Sequence, residues 1–271
     1  NSFTYTFGEN ENDVFFAHDM LYHPSRFHKF AELRGIKVKH LCDDNKGTPI
    51  PYAVIGEGKR NIILTARHHA CEATGDYIME GIIDEYLKNP IPDTRITAIP
   101  FIDADGVVAG DQGRRPHDHN RDYLDTIYNG VRAVKEIAGK GDVLAVLDLH
   151  SPWHISGRND KIFCVRNSEK KLDDMRLFGR CFEESITPDA MKYSTKNDID
   201  PGVEWNIGKE RTSCGTFCRD IPGVELAFTL ETTYFGEPGN VVSQEKLVAT
   251  GRCFLEGFRK YLIRKGMEKT I

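Results

Sequence analysis

The sequence predicts a three-layer α/β/α fold, with helices covering both faces of a mostly parallel, mixed central sheet. Three observations carry this. Apolar runs of strand length alternate with segments of helical period. The run 143–148, VLAVLD, is apolar on both faces, as a strand at a sheet centre is. No internal repeat, low-complexity tract or Pro/Ser-rich linker divides the chain, so residues 1–271 are expected to form a single domain.

Residues 61–67, NIILTAR, read as a buried strand. Over 73–88, Ile78, Ile82, Tyr86 and Leu87 recur on one helical face. A second strand is expected over 94–101 and a helix over 123–140, stopped by Gly141. After the central strand 143–148 comes a strand over 161–166 and a helix over 168–186. Residues 224–230 form the last clear strand, and 243–265 close the chain as a long amphipathic helix.

Composition narrows the function. The 271 residues carry 36 basic and 41 acidic side chains, a net charge of -5, which argues against a nucleic-acid binder. The one dense basic cluster, Arg114, Arg115 and Arg121, is too short for a duplex groove. No run approaches the ~20 apolar residues of a membrane span. With 39% hydrophobic and 28% charged residues, collagen-like, coiled-coil and disordered classes are excluded. A domain of this size buries roughly 75% of its unfolded surface and needs no disulfide scaffold. Seven cysteines without paired spacing read as free thiols in a reducing compartment, and the cytoplasm is expected. The chain opens on Asn1 rather than Met, which leaves room for a leader or upstream domain removed from it.

In α/β sheets the site lies beyond the carboxyl ends of the strands. Three strands here deliver a histidine or carboxylate at that end: His68-His69-Ala-Cys71-Glu72, then His150, then Glu231. His69 and Glu72 are three residues apart, so one turn aims both at one ion, and His150 is the natural third ligand. Two His and one Glu with an open fourth position form a catalytic zinc set. That implies one Zn²⁺ per chain and a water to activate, and Glu231 is placed to take its proton. The loop 110–123 brings Arg114, Arg115, Asn120 and Arg121. One arginine with an adjacent asparagine grips a carboxylate, and another steadies an oxyanion. Each piece has a plainer reading: a surface His–Glu pair, a strand-terminal acid paired with a cation, and a solvated charge cluster.

Taken in order, His69-x-x-Glu72, Asn120-Arg121, Asp148-Leu-His150-Ser151 and Phe228-Thr-Leu-Glu231 resemble the zinc carboxypeptidase family. The likeness runs from about Lys59 to the terminal helix. The segments Gly215-Thr216 and 228–236 look most like its cytosolic branch, whose members carry a β-sandwich domain before the catalytic one; none is visible in this sequence. The resemblance implies His69, Glu72 and His150 as zinc ligands and Glu231 as general base. It implies Asn120 with Arg121 as the anchor for a substrate's terminal carboxylate, and Arg114, preferred over Arg115, at the oxyanion. The substrate is then the C-terminus of a peptide or protein. Thr216 or Arg219 would line the pocket for the terminal side chain. The His69–His150 interval looks shorter than in the digestive members, so some specificity loops are expected to be missing.

Other readings of the same residues compete with this one. His117-x-His119 is a His-x-His pair of the kind two-metal hydrolases use, but Arg114-Arg115-Pro116 precede it where an apolar strand belongs. Continued strand alternation would turn His68 away from His69, as a satisfied or outer residue, and Cys71 is expected to pack as a small hydrophobe. Cys214 and Cys218 lack the second pair of a zinc finger. Deacylases of N-acyl amino acids resemble the same constellation, whereas the Phe-Thr-Leu-Glu strand favours a peptidase. A non-catalytic peptide-tail binding module would be expected to have lost a ligand or the base. No Gly-x-Ser-x-Gly elbow supports a serine hydrolase.

Overall fold

The computed structural model describes residues 4–14, 16, 17, 19–166, 169–207 and 212–267. Its sheet has seven strands: β1 (Val38–Asp43), β2 (Pro49–Ile55), β3 (Arg60–Ala66), β4 (Thr94–Ile99), β5 (Val143–His150), β6 (Phe163–Val165) and β7 (Leu226–Glu231). They lie in the order β1-β2-β4-β3-β5-β7-β6. The four inner strands β4, β3, β5 and β7 are mutually parallel, whereas β1–β2, β2–β4 and β6–β7 pair antiparallel. The sheet is therefore mixed, with its parallel pairing concentrated at the centre. Every residue of β5 is buried, as its two-sided apolar pattern requires.

Helices α2 (Thr74–Lys88), α5 (Leu172–Glu183) and α7 (Gln244–Arg264) pack together on one face. The α2–α7 crossing is close enough for backbones to touch. A Cβ on Gly81 would lie 2.0 Å from the Val248 carbonyl oxygen, and one on Gly251 2.1 Å from that of Ile78. Helices α4 (Asn129–Ala138) and α6 (Cys214–Arg219) cover the other face, where Thr97, Thr65 and Asp148 point. Two further helices, α1 (Pro24–Glu32) and α3 (Ala104–Ala109), and a small hairpin of β8 (Gly236–Glu237) and β9 (Asn240–Val241) complete the described fold.

The expected elements are present with shifted ends. The helix expected over 123–140 is confined to α4, because the Asp122 carboxylate accepts the Ile127 and Tyr128 amides (3.1 and 2.9 Å) and closes a turn instead. The strand expected over 161–166 shrinks to β6. The helix expected over 168–186 begins in the described residues at Leu172; its foreseen start, Ser168, lies outside them. The long last helix is capped by Ser243, whose hydroxyl accepts the Lys246 amide.

Candidate active site

The β3–β5 register sets Ala66 beside Leu149, and the β5–β7 register sets His150 beside Glu231. The three strand ends named in the sequence thus finish at one level. Beyond β3 the chain turns sharply at Arg67 (φ 58°). The Arg67 guanidinium fixes this turn, donating to Asp76 Oδ2 (2.6 Å), the Ala70 carbonyl and the Tyr22 carbonyl (2.8 Å). Out of the clamped loop project His69 and Glu72.

His69 Nδ1 lies 2.6 Å from Glu72 Oε1, His150 Nδ1 lies 2.8 Å from Glu72 Oε2, and the two Nδ1 atoms are 3.2 Å apart. These donor atoms all fall within 4.8 Å of one another. Each ring's far nitrogen is held by a carboxylate: His69 Nε2 is 2.9 Å from Asp118 Oδ1, and His150 Nε2 is 2.8 Å from Asp148 Oδ2. Burial works to raise the Glu72 carboxyl, but the two imidazoles outweigh it and bring it down to about 2. For His69, burial opposes the charge, and Glu72 with Asp118 overcomes it, raising the ring to about 9. Asp118 and Asp148 are likewise held well below the usual carboxylate range by the imidazoles, against the effect of burial.

Glu231 ends β7 with its side chain buried, and its Oε2 has no hydrogen-bond partner among the described residues. Burial pushes its carboxyl up to about 7, with the nearby Glu72 adding to the effect. It shares a cleft of about 370 Å³ with His69, His150, Asn120, Arg121 and Thr216.

The remaining candidates fall into place unevenly. Arg121 is half-buried on the cleft wall, its guanidinium anchored by one bond to the Asn120 carbonyl (2.7 Å). Asn120 is buried with its amide engaged: Nδ2 donates to Asp148 Oδ2 (3.1 Å), and Oδ1 accepts from the Cys214 amide (2.9 Å). Arg114 is exposed at the rim, 3.6 Å from Asp118 Oδ2, and Arg115 points to solvent while its carbonyl accepts from Tyr128. Thr216 lines the cleft, whereas the Arg219 guanidinium binds Asp220 (3.1 Å).

His117 and His119 do not converge. His117 Nε2 bonds Asp122 (2.7 Å), and the His119 ring stacks on Tyr128 at 3.6 Å. Cys71 is half-buried with its sulfur 3.4 Å from the Tyr234 hydroxyl, so it makes a polar contact where apolar packing was expected. All seven cysteines are free. Residue type and spacing alone give no role to Asp118 or Asp148. For Asp148 a signal existed, since it stands two residues before His150 and a strand puts both on one face.

No protein-family model matches the chain. Among curated proteins, cytosolic carboxypeptidase 2 of Danio rerio is 24% identical, over 81% of this chain and 33% of its own length. Cytosolic carboxypeptidase 3 of Mus musculus is 23% identical, over 87% of this chain and 26% of its own. The chain thus spans about a third or less of the length of these relatives. Among solved structures, a metallo-carboxypeptidase from Burkholderia cenocepacia superposes with a TM-score of 0.74 at 16% identity, covering 90% of this chain and 70% of that one. By sequence the chain is similar to cytosolic carboxypeptidases, and its fold is that of the metallo-carboxypeptidase structures.

Proposed function

We propose that the chain is a zinc carboxypeptidase of the cytoplasm, a single catalytic domain over 1–271 that removes one residue from the free carboxyl end of a peptide or protein. The observation that carries this is the convergence of His69 Nδ1, His150 Nδ1 and the Glu72 carboxylate beside the buried, unpartnered Oε2 of Glu231. Two imidazoles and a carboxylate suit zinc and leave one position open. Carboxylates on both far nitrogens are the usual outer partners of metal-bound histidines. One Zn²⁺ per chain fits this set, and when bound it supplies a polarised carbonyl and an acidified water.

Glu231 would accept a proton from the attacking water and hand it to the leaving amine. Burial raises the Glu231 carboxyl above the ordinary carboxylate range, as suits a group that takes up a proton and returns it. Arg121, with one side of its guanidinium anchored, offers its remaining N–H groups to the substrate's terminal carboxylate. Asn120 reaches the same carboxylate only by turning its amide from Asp148. Arg114, whose guanidinium lies 3.6 Å from Asp118, reaches the oxyanion by leaving that carboxylate. Seven free thiols accord with a cytoplasmic site of action.

The test is Glu231→Gln, assayed on a free-acid peptide with metal analysis of the same sample. Zinc should stay at about one per chain while turnover falls roughly 10²-fold or more. Wild-type turnover in a zinc-loaded variant would place the base elsewhere.

A further inference from the structure

His68 is buried and takes no part in the chemistry just described. The left-handed turn at Arg67 ends the strand alternation and brings His68 to the β5 side, next to Thr65. Its Nδ1 lies 2.8 Å from Asp148 Oδ1, off the line of the ring N–H, and its Nε2 lies 2.8 Å from the Tyr123 hydroxyl. The ring also lies almost parallel to that of His150, at 13° and 5.6 Å between centroids. Asp148 in turn receives Thr65 Oγ1 (2.9 Å) on the same oxygen and faces His150 Nε2 with the other.

We infer that His68 is a positioning residue for the metal centre, bracing Asp148 and the His150 ring so that His150 presents Nδ1 to His69 and Glu72. This rests on the zinc reading of those three residues. A neutral imidazole has one N–H and one lone pair, so the nitrogen that Asp148 holds is not the one that ligates. One nitrogen of His68 is engaged by the Tyr123 hydroxyl, and the other is set against Asp148 Oδ1. Held between His68 and Thr65, Asp148 Oδ1 stays in place and leaves Oδ2 facing His150 Nε2.

A competing role is visible in the same residues, because His68, Asp148 and His150 also bring three donor atoms within 4.8 Å. Two observations set it aside. The Asn120 amide nitrogen stands 3.1 Å from Asp148 Oδ2 and 3.0 Å from His150 Nε2, filling the position a cation would need with a hydrogen-bond donor. The cleft that holds Glu231 is lined by His69 and His150, two donors of the outer group, but by only His150 of the inner one.

The experiment measures Zn²⁺ affinity by competition with a chromophoric chelator, in wild type, His150→Ala, Glu72→Ala, His68→Phe and His68→Asn. His150→Ala and Glu72→Ala should both abolish tight binding; if neither weakens it, the zinc reading itself fails. His68→Phe keeps a ring beside His150 but no donor, and should bind one Zn²⁺ some 10- to 100-fold more weakly. His68→Asn restores a donor near the Nδ1 position and should recover most of that loss, which a merely structural role would not produce. Cobalt(II) loaded in place of zinc should show altered visible bands in His68→Phe and near wild-type bands in His68→Asn. Unchanged affinity in His68→Phe, alongside loss in Glu72→Ala, overturns the brace. Complete loss in both His68 variants with Glu72→Ala still binding would move the ion to the inner group and overturn it too.

Discussion

Glu231 stands directly beside His150 in the parallel register of β5 and β7. Neighbouring residues on adjacent strands lie about 4.8 Å apart, so the sheet itself sets the carboxylate next to the His150 imidazole. No loop has to close to make that pair.

Removing a donor from the centre should remove the ion. His150→Ala leaves one imidazole and one carboxylate, too few for tight binding. Metal analysis after dialysis should find wild type near one zinc per chain and the variant nearly empty. Zinc content that follows His117 and His119 instead would put the site in the wrong loop.

Asp118 and Asp148 should tune the centre without holding the ion. Asp118→Asn keeps the shape and leaves a neutral partner for His69 Nε2. Zinc affinity should fall about 10- to 100-fold, the usual cost of losing such a partner, with stoichiometry unchanged at saturating metal. Chelator competition reads this directly, and an unaffected affinity would mean that His69 orients without Asp118.

Acid should destabilise the fold through His119. Burial holds this ring down to about 4, against 6.5 when unfolded, so between these values the unfolded chain binds the extra proton. Stability from this residue is present above pH 6.5 and lost as pH falls through 4, worth about 3 kcal/mol in all. His119→Phe keeps the stack on Tyr128 and cannot titrate. Urea unfolding of chelator-treated protein at pH 7 and pH 4 should show a smaller acid loss in the variant. Equal losses would assign the effect to other groups.

The core of the sheet and the meeting of its strand ends were legible for the same reason. Buried parallel strands are continuous apolar runs, and a histidine or carboxylate stands at or just beyond the ends of β3, β5 and β7. The edges were not. In β2, Pro49 and Pro51 break the strand pattern; they are tolerated where β1 is the sole neighbour, because β4 pairs only with 53–55. Helices α3 and α6, six residues each, are too short for periodicity to register. Asp118 arrives on a single tight turn with no repeating pattern, so its approach to His69 is a purely tertiary event. Asn120 reads as a ligand grip in sequence, and only packing reveals that Asp148 and Cys214 already engage its amide.

The central claim is that a free terminal carboxylate is recognised at Arg121 and the bond before it is cut. The most direct measurement compares one peptide as free acid and as C-terminal amide, against wild type and Arg121→Ala. Amidation removes the charge that Arg121 would bind. A lost charge-assisted hydrogen bond costs on the order of 1.5–3 kcal/mol, or about ten- to a hundredfold in kcat/KM. Wild type should prefer the acid by that factor, and Arg121→Ala should lose the preference while cleaving the amide about as wild type does. Equal cleavage of acid and amide by wild type would contradict the carboxypeptidase reading.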